Sequence, residues 1–301
     1  MSLMRPIVLL SQRPDVSPAD LLALSSGPIV ACDCYVRGAE TWAPVPGGYA
    51  SGRIVNVDHH ADTPAMARVV SSANLALSRV RALGLPPVDA QIVITHADCD
   101  SILSAGILSG QLTPEPRYGE AALAADHTGA VNDIADLLQA LDTLRNVSLS
   151  FEALARLESG APPTRAVQQS LDERHRKRAL AAVLVRDGGV AMRGVIAVGH
   201  LPQALDGEFF APLLPDAVVI LLAMPHATDA ARLDIKLRLG PAAPTGFSLH
   251  ALGLPAFDPA YGGRWNAGSN RRGGGTTVSL EAYAAALQAR IQLRLTALRP
   301  A

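Results

Sequence analysis

Three short apolar runs in the first hundred residues each end on aspartate or histidine: Val30-Ala31-Cys32-Asp33, Val55-Asn56-Val57-Asp58-His59-His60 and Ile94-Thr95-His96-Ala97-Asp98-Cys99-Asp100. In an open α/β sheet the carboxyl ends of neighbouring strands are where ligand groups converge. Carboxylates gathered there repel one another unless cations neutralise them. A set made mostly of carboxylates with a few imidazoles suits Mn²⁺ or Mg²⁺, and the imidazoles favour Mn²⁺. Five or more such ligands hold two ions about 3.5–4 Å apart more naturally than one. A pair of divalent ions lowers the pKa of a bridging water and clamps both the attacking and the leaving oxygen. Hydrolysis of a phosphoester or phosphoanhydride needs that chemistry.

If residues 96–100 are extended, His96, Asp98 and Asp100 share one face and Cys99 points to the other. The same alternation sends Cys32 and Cys34 away from Asp33. The thiols then belong to the packing layer, which weighs against zinc held by Cys32 and Cys34. Three cysteines are too few and too odd a number for a disulfide framework, and they point to a reducing, cytoplasmic setting.

Other elements must position these groups. Candidate strands are Pro6–Leu10, Pro28–Cys32, Arg53–Val57 and Gln91–Thr95. Pro64–Leu83, Asp100–Ser109 and Ala130–Leu144 read as helices, the first closed by Gly84. Strand–helix alternation of this kind predicts an α/β domain with a doubly wound, mostly parallel sheet over residues 1–170. After the break Ser159-Gly160-Ala161-Pro162-Pro163, a polar helix from Thr164 to Ala182 leads into a smaller α+β domain, 171–301, with 171–182 as linker and 159–178 as hinge. In that domain Ala182–Arg186 and Val190–Val198 form an expected hairpin about Asp187-Gly188-Gly189. Strands Ala217–Ala223 and Arg232–Leu239 and a closing helix Ser279–Leu298 follow.

Composition narrows the partners. With 26 Lys+Arg against 27 Asp+Glu, the chain lacks the basic excess that duplex binding by counterion release requires. Its 49% hydrophobic and 18% charged residues suffice for a sizeable core and exclude a disordered chain. The longest uninterrupted apolar run, Ala217 to Pro225, falls far short of the ~20 residues of a membrane span. The opening MSLMRPIVLLSQRP carries too short an apolar stretch for a secretory leader. Signatures of a nucleophile elbow, a Walker A loop and an H-E-x-x-H zinc helix are missing.

Val57-Asp58-His59-His60 resembles the signature of the DHH phosphoesterase superfamily, and His96-Ala97-Asp98-Cys99-Asp100-Ser101 is similar to its His/Asp/Asp motif. Asp33 resembles the single-Asp motif, and Asp126, in Ala124-Ala125-Asp126-His127, is the weaker candidate for the last Asp. Tyr261-Gly262-Gly263-Arg264-Trp265-Asn266-Ala267-Gly268 with Gly273-Gly274-Gly275 looks like the glycine-rich loop of the DHH-associated C-terminal domain. The motif order is permuted, because the His/Asp/Asp stretch usually comes first in that family.

The resemblance implies roles. His96 and Asp98 would hold one ion, His59, Asp100 and Asp126 the other, with Asp33 bridging. Asp58 would orient a histidine and His60 would face the substrate phosphate. A metal-bridging hydroxide would be the nucleophile. Arg238, Gly262, Gly263, Arg264, Asn266, Gly268, Arg271 and Arg272 would bind substrate, the glycines by presenting backbone N–H groups to an anion. The implied activity is hydrolysis of short oligonucleotides or nucleotide phosphates, with short single-stranded nucleic acid as a further substrate, two Mn²⁺ (or Mg²⁺) as cofactor, no membrane partner and a homodimer as the candidate assembly. Alternatives are a pyrophosphatase or exopolyphosphatase, for which Ser101 is the one hint, and a non-catalytic nucleotide-binding regulator. Against these stand plainer readings: a surface turn for the glycine-rich loop, a helix-terminal residue for Asp126, structural roles for His200, His226 and His250, and a solvated face for His175-Arg176-Lys177-Arg178.

Overall fold

The computed structural model describes residues 4–10, 15–61 and 68–298. The chain divides into two compact units, residues 1–175 and 176–301.

The first unit contains strands β1 (Ile7–Leu9), β2 (Asp15–Val16), β3 (Ile29–Cys32), β4 (Tyr35–Val36), β5 (Ala43–Val45), β6 (Gly48–Ser51), β7 (Ile54–Val57) and β8 (Gln91–Ile94). Its helices are α1 (Pro18–Leu22), α2 (Ser72–Leu83), α3 (Cys99–Ser109), α4 (Pro116–Leu123), α5 (Asp133–Leu141) and α6 (Val147–Glu158), followed by α7 (Arg165–Arg186), within which the division falls. The main sheet runs β1-β8-β3-β7-β6-β5. β1, β8, β3 and β7 are mutually parallel, whereas β6 is antiparallel to both its neighbours. The sheet is therefore mixed. β2 and β4 form a separate parallel pair.

All four residues of β3 are buried, as a parallel strand covered on both faces requires. Val30, Cys32, Ile92 and Ile94 face one cluster, with Ile102, Leu103 and Tyr118. Ile29, Ala31 and Val93 face another, with Leu21 and Val36. Because β8, β3 and β7 are parallel neighbours, the residues following them emerge side by side at one edge.

Several boundaries differ from the sequence reading. Within Pro64–Leu83, residues 64–67 lie outside the described residues, and α2 begins only at Ser72. Ser71 caps it reciprocally with Asn74, each side chain taking up the other's backbone N–H. Ala130–Leu144 resolves into α5 and a 3-10 turn at Asp142–Leu144.

The second unit contains β9 (Val190–Arg193), β10 (Ile196–His200), β11 (Val219–His226), β12 (Asp229–Leu239), β13 (Gly262–Gly263), β14 (Ala267–Ser269) and α8 (Leu280–Leu298). Its sheet runs β13-β14-β12-β11-β10-β9, with β10 and β11 parallel and the remaining pairs antiparallel. Val198, Leu221 and Leu237 pack with Tyr283, Leu287 and Ile291 of α8. Ala197, Ile220 and Leu222 pack with Phe209 and Phe210 on the other face. The expected hairpin about Asp187 is not there. Residues 182–186 complete α7, and Asp187 and Gly188 donate their N–H groups to the Val183 and Val185 carbonyls. The hairpin that does form joins β9 to β10 through Gly194, at φ 64°. Among the described residues no helix is long and apolar enough to cross a membrane.

Candidate metal centre

Asp33 follows β3 directly and stands at φ 50°, a left-handed conformation that aspartate tolerates better than most side chains. Its N–H donates to the Val57 carbonyl (3.1 Å). The buried Asn56 side chain donates to the carbonyls of Ala31 (3.3 Å) and Cys34 (2.9 Å) and accepts from the Val36 N–H (3.4 Å). A Cβ on Gly48 would collide with the Asn56 carbonyl, so β6 approaches β7 this closely only with glycine there.

After β7, the buried Asp58 accepts from the His60 N–H through Oδ2 (3.0 Å) and pairs through Oδ1 with His60 Nδ1 (2.5 Å). His59 Nε2 lies 3.7 Å from Asp33 Oδ1, 3.6 Å from Asp100 Oδ2 and 3.2 Å from Asp126 Oδ2. After β8, His96 Nε2 lies 3.1 Å from Asp33 Oδ2 and 3.3 Å from Asp98 Oδ2. The stretch 96–100 is not extended, because a helix begins inside it. Asp98 caps α3, accepting the Ser101 N–H (3.0 Å), and Asp100 sits in its first turn. Asp100 receives the Ser72 and Ala73 N–H groups at the start of α2, both at 2.7 Å. Ser72 and Ser101 donate their hydroxyls to the two oxygens of Asp33 (3.0 and 2.7 Å). Asp126 is buried on a π-helical turn, Ala124–Thr128, that continues α4.

Three sets of donor atoms result, each within 4.8 Å of one another: Asp33, His59 and His60; Asp33, His96 and Asp98; His59, Asp100 and Asp126. Among the described residues none of these sets includes a cysteine. Cys32, Cys34 and Cys99 are buried free thiols whose pKa burial drives upward. The donors are oxygen and imidazole nitrogen, the set that suits Mn²⁺ or Mg²⁺.

The electrostatics call for positive charge. Burial and the neighbouring Asp33 and Asp126 hold the Asp100 carboxyl well above the usual range. Against its own burial, Asp33 is held well below that range by His96, His60 and His59. Burial opposes the charging of His96, yet Asp98 and Asp33 outweigh it and push its pKa up to about 12. Carboxylates this close together, with imidazoles among them, are the arrangement a bound cation would relieve.

Sequence reasoning missed four neighbours of this centre, and treated Ser101 only as a hint about substrate. Asn56 and Ser72 carry no motif, although Ser71-x-x-Asn74 announces the helix start that exposes the Ser72 N–H. Arg145, at φ 49°, donates from Nη2 to the Thr95 carbonyl (2.9 Å) beside His96. The carboxyl of Asp142 is pushed up by burial and by Asp98.

In the second unit, Arg238 is buried on β12 and pairs in register with Ala267 and Ile220. Gly262 and Gly263 pair with Ser269 and Gly268. Among the described residues the buried Tyr261 hydroxyl has no hydrogen-bond partner, and it lies so close to Gly268 that a Cβ there would strike it. The Arg264 N–H donates to the Ala267 carbonyl, and the Asn266 carbonyl accepts from Leu239 N–H, both at 2.8 Å. Arg271 and Arg272 are exposed, and Arg271 Nε lies 3.5 Å from Asp234. In the adjoining triplet Gly273-Gly274-Gly275 the N–H groups are used within the chain. Gly273 and Gly275 donate to the Asn270 carbonyl and Gly274 to that of Arg271, because the segment closes tight turns on itself. His226 pairs with Asp234 (2.5 Å) and His250 with the Gly263 carbonyl (3.0 Å), while His200 is exposed.

No protein-family profile and no curated protein sequence matches the chain. Among solved structures it is similar to a pGpG-specific phosphodiesterase, PggH, from Vibrio cholerae, with 11% identity over 72% of this chain and 88% of that one, at a TM-score of 0.42. It is also similar to an exopolyphosphatase-related protein from Bacteroides fragilis, with 12% identity over 97% and 94% of the two chains, at 0.35.

Proposed function

We propose that the chain is a metal-dependent phosphoric ester hydrolase acting on small phosphorylated substrates, a DHH-type phosphoesterase whose second unit binds substrate. The convergence of three donor sets on Asp33 and His59 carries this reading. The fit rests on the donors themselves: buried carboxylates crowd together with imidazoles within 4.8 Å of one another, and Asp33 and Asp126 beside Asp100 oppose its ionisation. His96 and Asp98 would hold one Mn²⁺ and His59, Asp100 and Asp126 the other, with Asp33 available to both. When bound, such ions activate a water and neutralise charge on the phosphoryl oxygens.

The chain's own residues do the rest. Asp58 accepts from His60 Nδ1–H and fixes the ring, leaving Nε2 to meet a substrate phosphoryl oxygen. The amides of Ser72 and Ala73 prevent Asp100 from turning away. Arg238, Arg264, Arg271 and Arg272 supply local positive charge for substrate, with Gly262, Gly263, Asn266 and Gly268 forming its backbone support. Short oligonucleotides or nucleotide phosphates are the proposed substrates.

The test is Mn²⁺-dependent hydrolysis of bis-p-nitrophenyl phosphate, run beside pyrophosphate and polyphosphate. Asp98→Ala is expected to lower the rate by at least about 100-fold. Turnover at the parental rate would place the chemistry elsewhere, and turnover of pyrophosphate alone would select the phosphoanhydride alternative.

A further inference from the structure

We infer that Asn56 is a positioning residue for Asp33, setting the turn that lets one carboxylate serve two ions; this rests on the metal-centre reading above. Asn56 is fully buried in the middle of β7, between Val55 and Val57, paired with Ala31 of β3. A parallel strand at that depth favours valine or isoleucine, and a buried amide is destabilising unless its hydrogen bonds are made. Its three bonds all go to one segment, to Ala31 before Asp33 and to Cys34 and Val36 after it. With the Asp33 N–H held by Val57, these bonds bracket the left-handed residue on both sides.

The consequence lies in the carboxylate. Oδ1 is turned toward His59 and His60, both at 3.7 Å, and Oδ2 toward His96 at 3.1 Å. Among the described residues Asp33 is the one carboxylate that belongs to two of the three donor sets. An extended Asp33 would continue the alternation of β3, with its side chain perpendicular to the sheet on the face opposite Cys32. Asn56 itself offers no atom to any set, so its influence passes through the backbone at 33. Ser72 and Ser101 then fix the rotation of the carboxylate that Asn56 has delivered.

The experiment titrates Mn²⁺ into the full chain and follows it by electron paramagnetic resonance, which separates an exchange-coupled ion pair from isolated ions. Asn56→Ala is expected to weaken one of two ions by 10–100-fold and to replace the coupled signal with that of a single Mn²⁺. Asp33→Asn should lose the same ion. Ile54→Ala, in the same strand and buried without any bond to the site, should lower the unfolding midpoint and leave both ions and their coupling intact. If Asn56→Ala does not fold, Asn56→Ser, which keeps one hydroxyl donor, is read in its place. Two ions bound at parental affinity with coupling retained in the Asn56 variant would overturn the inference, as would the same selective loss in Ile54→Ala. A parent chain that binds no Mn²⁺ would instead overturn the metal-centre reading itself.

Discussion

Two buried carboxylate clusters, one in each unit, are built in opposite ways. In the second, Asp258 Oδ2 accepts from Asn270 Nδ2 (2.9 Å) and from the Tyr283 hydroxyl (3.2 Å), while Asn270 Oδ1 accepts the Ile235 N–H (2.7 Å). Donors and acceptors match, and the network ties α8 and the segment 258–270 to β12. In the first, buried carboxylates face one another with only imidazoles, hydroxyls and helix-end amides between them. The consequence is a split: Asp33 is driven well below the carboxylate range and Asp100 well above it. A closed network has no demand for charge, whereas the Asp33 centre does. That unmet demand, rather than burial of polar groups as such, distinguishes a ligand site from an internal brace.

The largest expected effect separates the two by metal. Mn²⁺ at about 100 times its Kd stabilises a folded state by about 2.7 kcal/mol for each independent site. The parent should show a gain of that order in urea unfolding on exchange of EDTA for Mn²⁺. Asp100→Asn, which removes a charge from the set of His59 and Asp126, should lose at least half of it. An undiminished gain would place the stabilising ion away from this centre.

Next in size is the corresponding change in the closed network. Asp258→Ala leaves Asn270 Nδ2 and the Tyr283 hydroxyl without their acceptor, at a cost of about 1–3 kcal/mol in ΔG of unfolding. Its Mn²⁺ titration should be that of the parent. A weakened Mn²⁺ titration would show that the brace and the centre are coupled, and the contrast between them would fail.

What could be read in the sequence follows the same division. Asp33, Asp58-His59-His60 and His96 lie within three residues of strand ends, so local alternation and parallel pairing suffice to gather them. Asp98 and Asp100 converge by another route, since α3 starts at Cys99 and the helix, not an extended face, aims Asp100 at α2. Asn56 was invisible because its role depends on a pairing with residues 31–36 that no spacing within residues 54–60 encodes. The glycine triplet misleads for a related reason: Gly273-Gly274-Gly275 has the composition of an anion cradle, but its N–H groups are taken by Asn270 and Arg271. The hairpin placed at Asp187-Gly188 fails because the same dipeptide ends helices as readily as it turns strands, and α7 runs on to Arg186.

The smallest effect tests whether a closed network can also be recognised inside the first unit. Tyr118 on α4 donates its hydroxyl to Glu158 Oε1 (2.6 Å) at the end of α6, and Arg117 Nη2 reaches the same oxygen (2.8 Å). Burial, and then the Glu158 carboxylate, push the Tyr118 phenol from its usual 10 up to about 12. The folded state therefore keeps the phenolic proton through a range in which the unfolded chain has released it. The stabilisation is complete below pH 10, falls as pH rises from about 10 to about 12, and has gone above that range. Urea midpoints measured across this window should decline more steeply for the parent than for Tyr118→Phe, which has no proton to lose. Mn²⁺ binding at neutral pH should be the same in both. Equal slopes would mean that the phenol titrates alike in both states and that Glu158 does not hold its proton. A weaker Mn²⁺ site in Tyr118→Phe would mean that α4, which leads into Asp126, transmits the change, and the network could no longer be counted as closed.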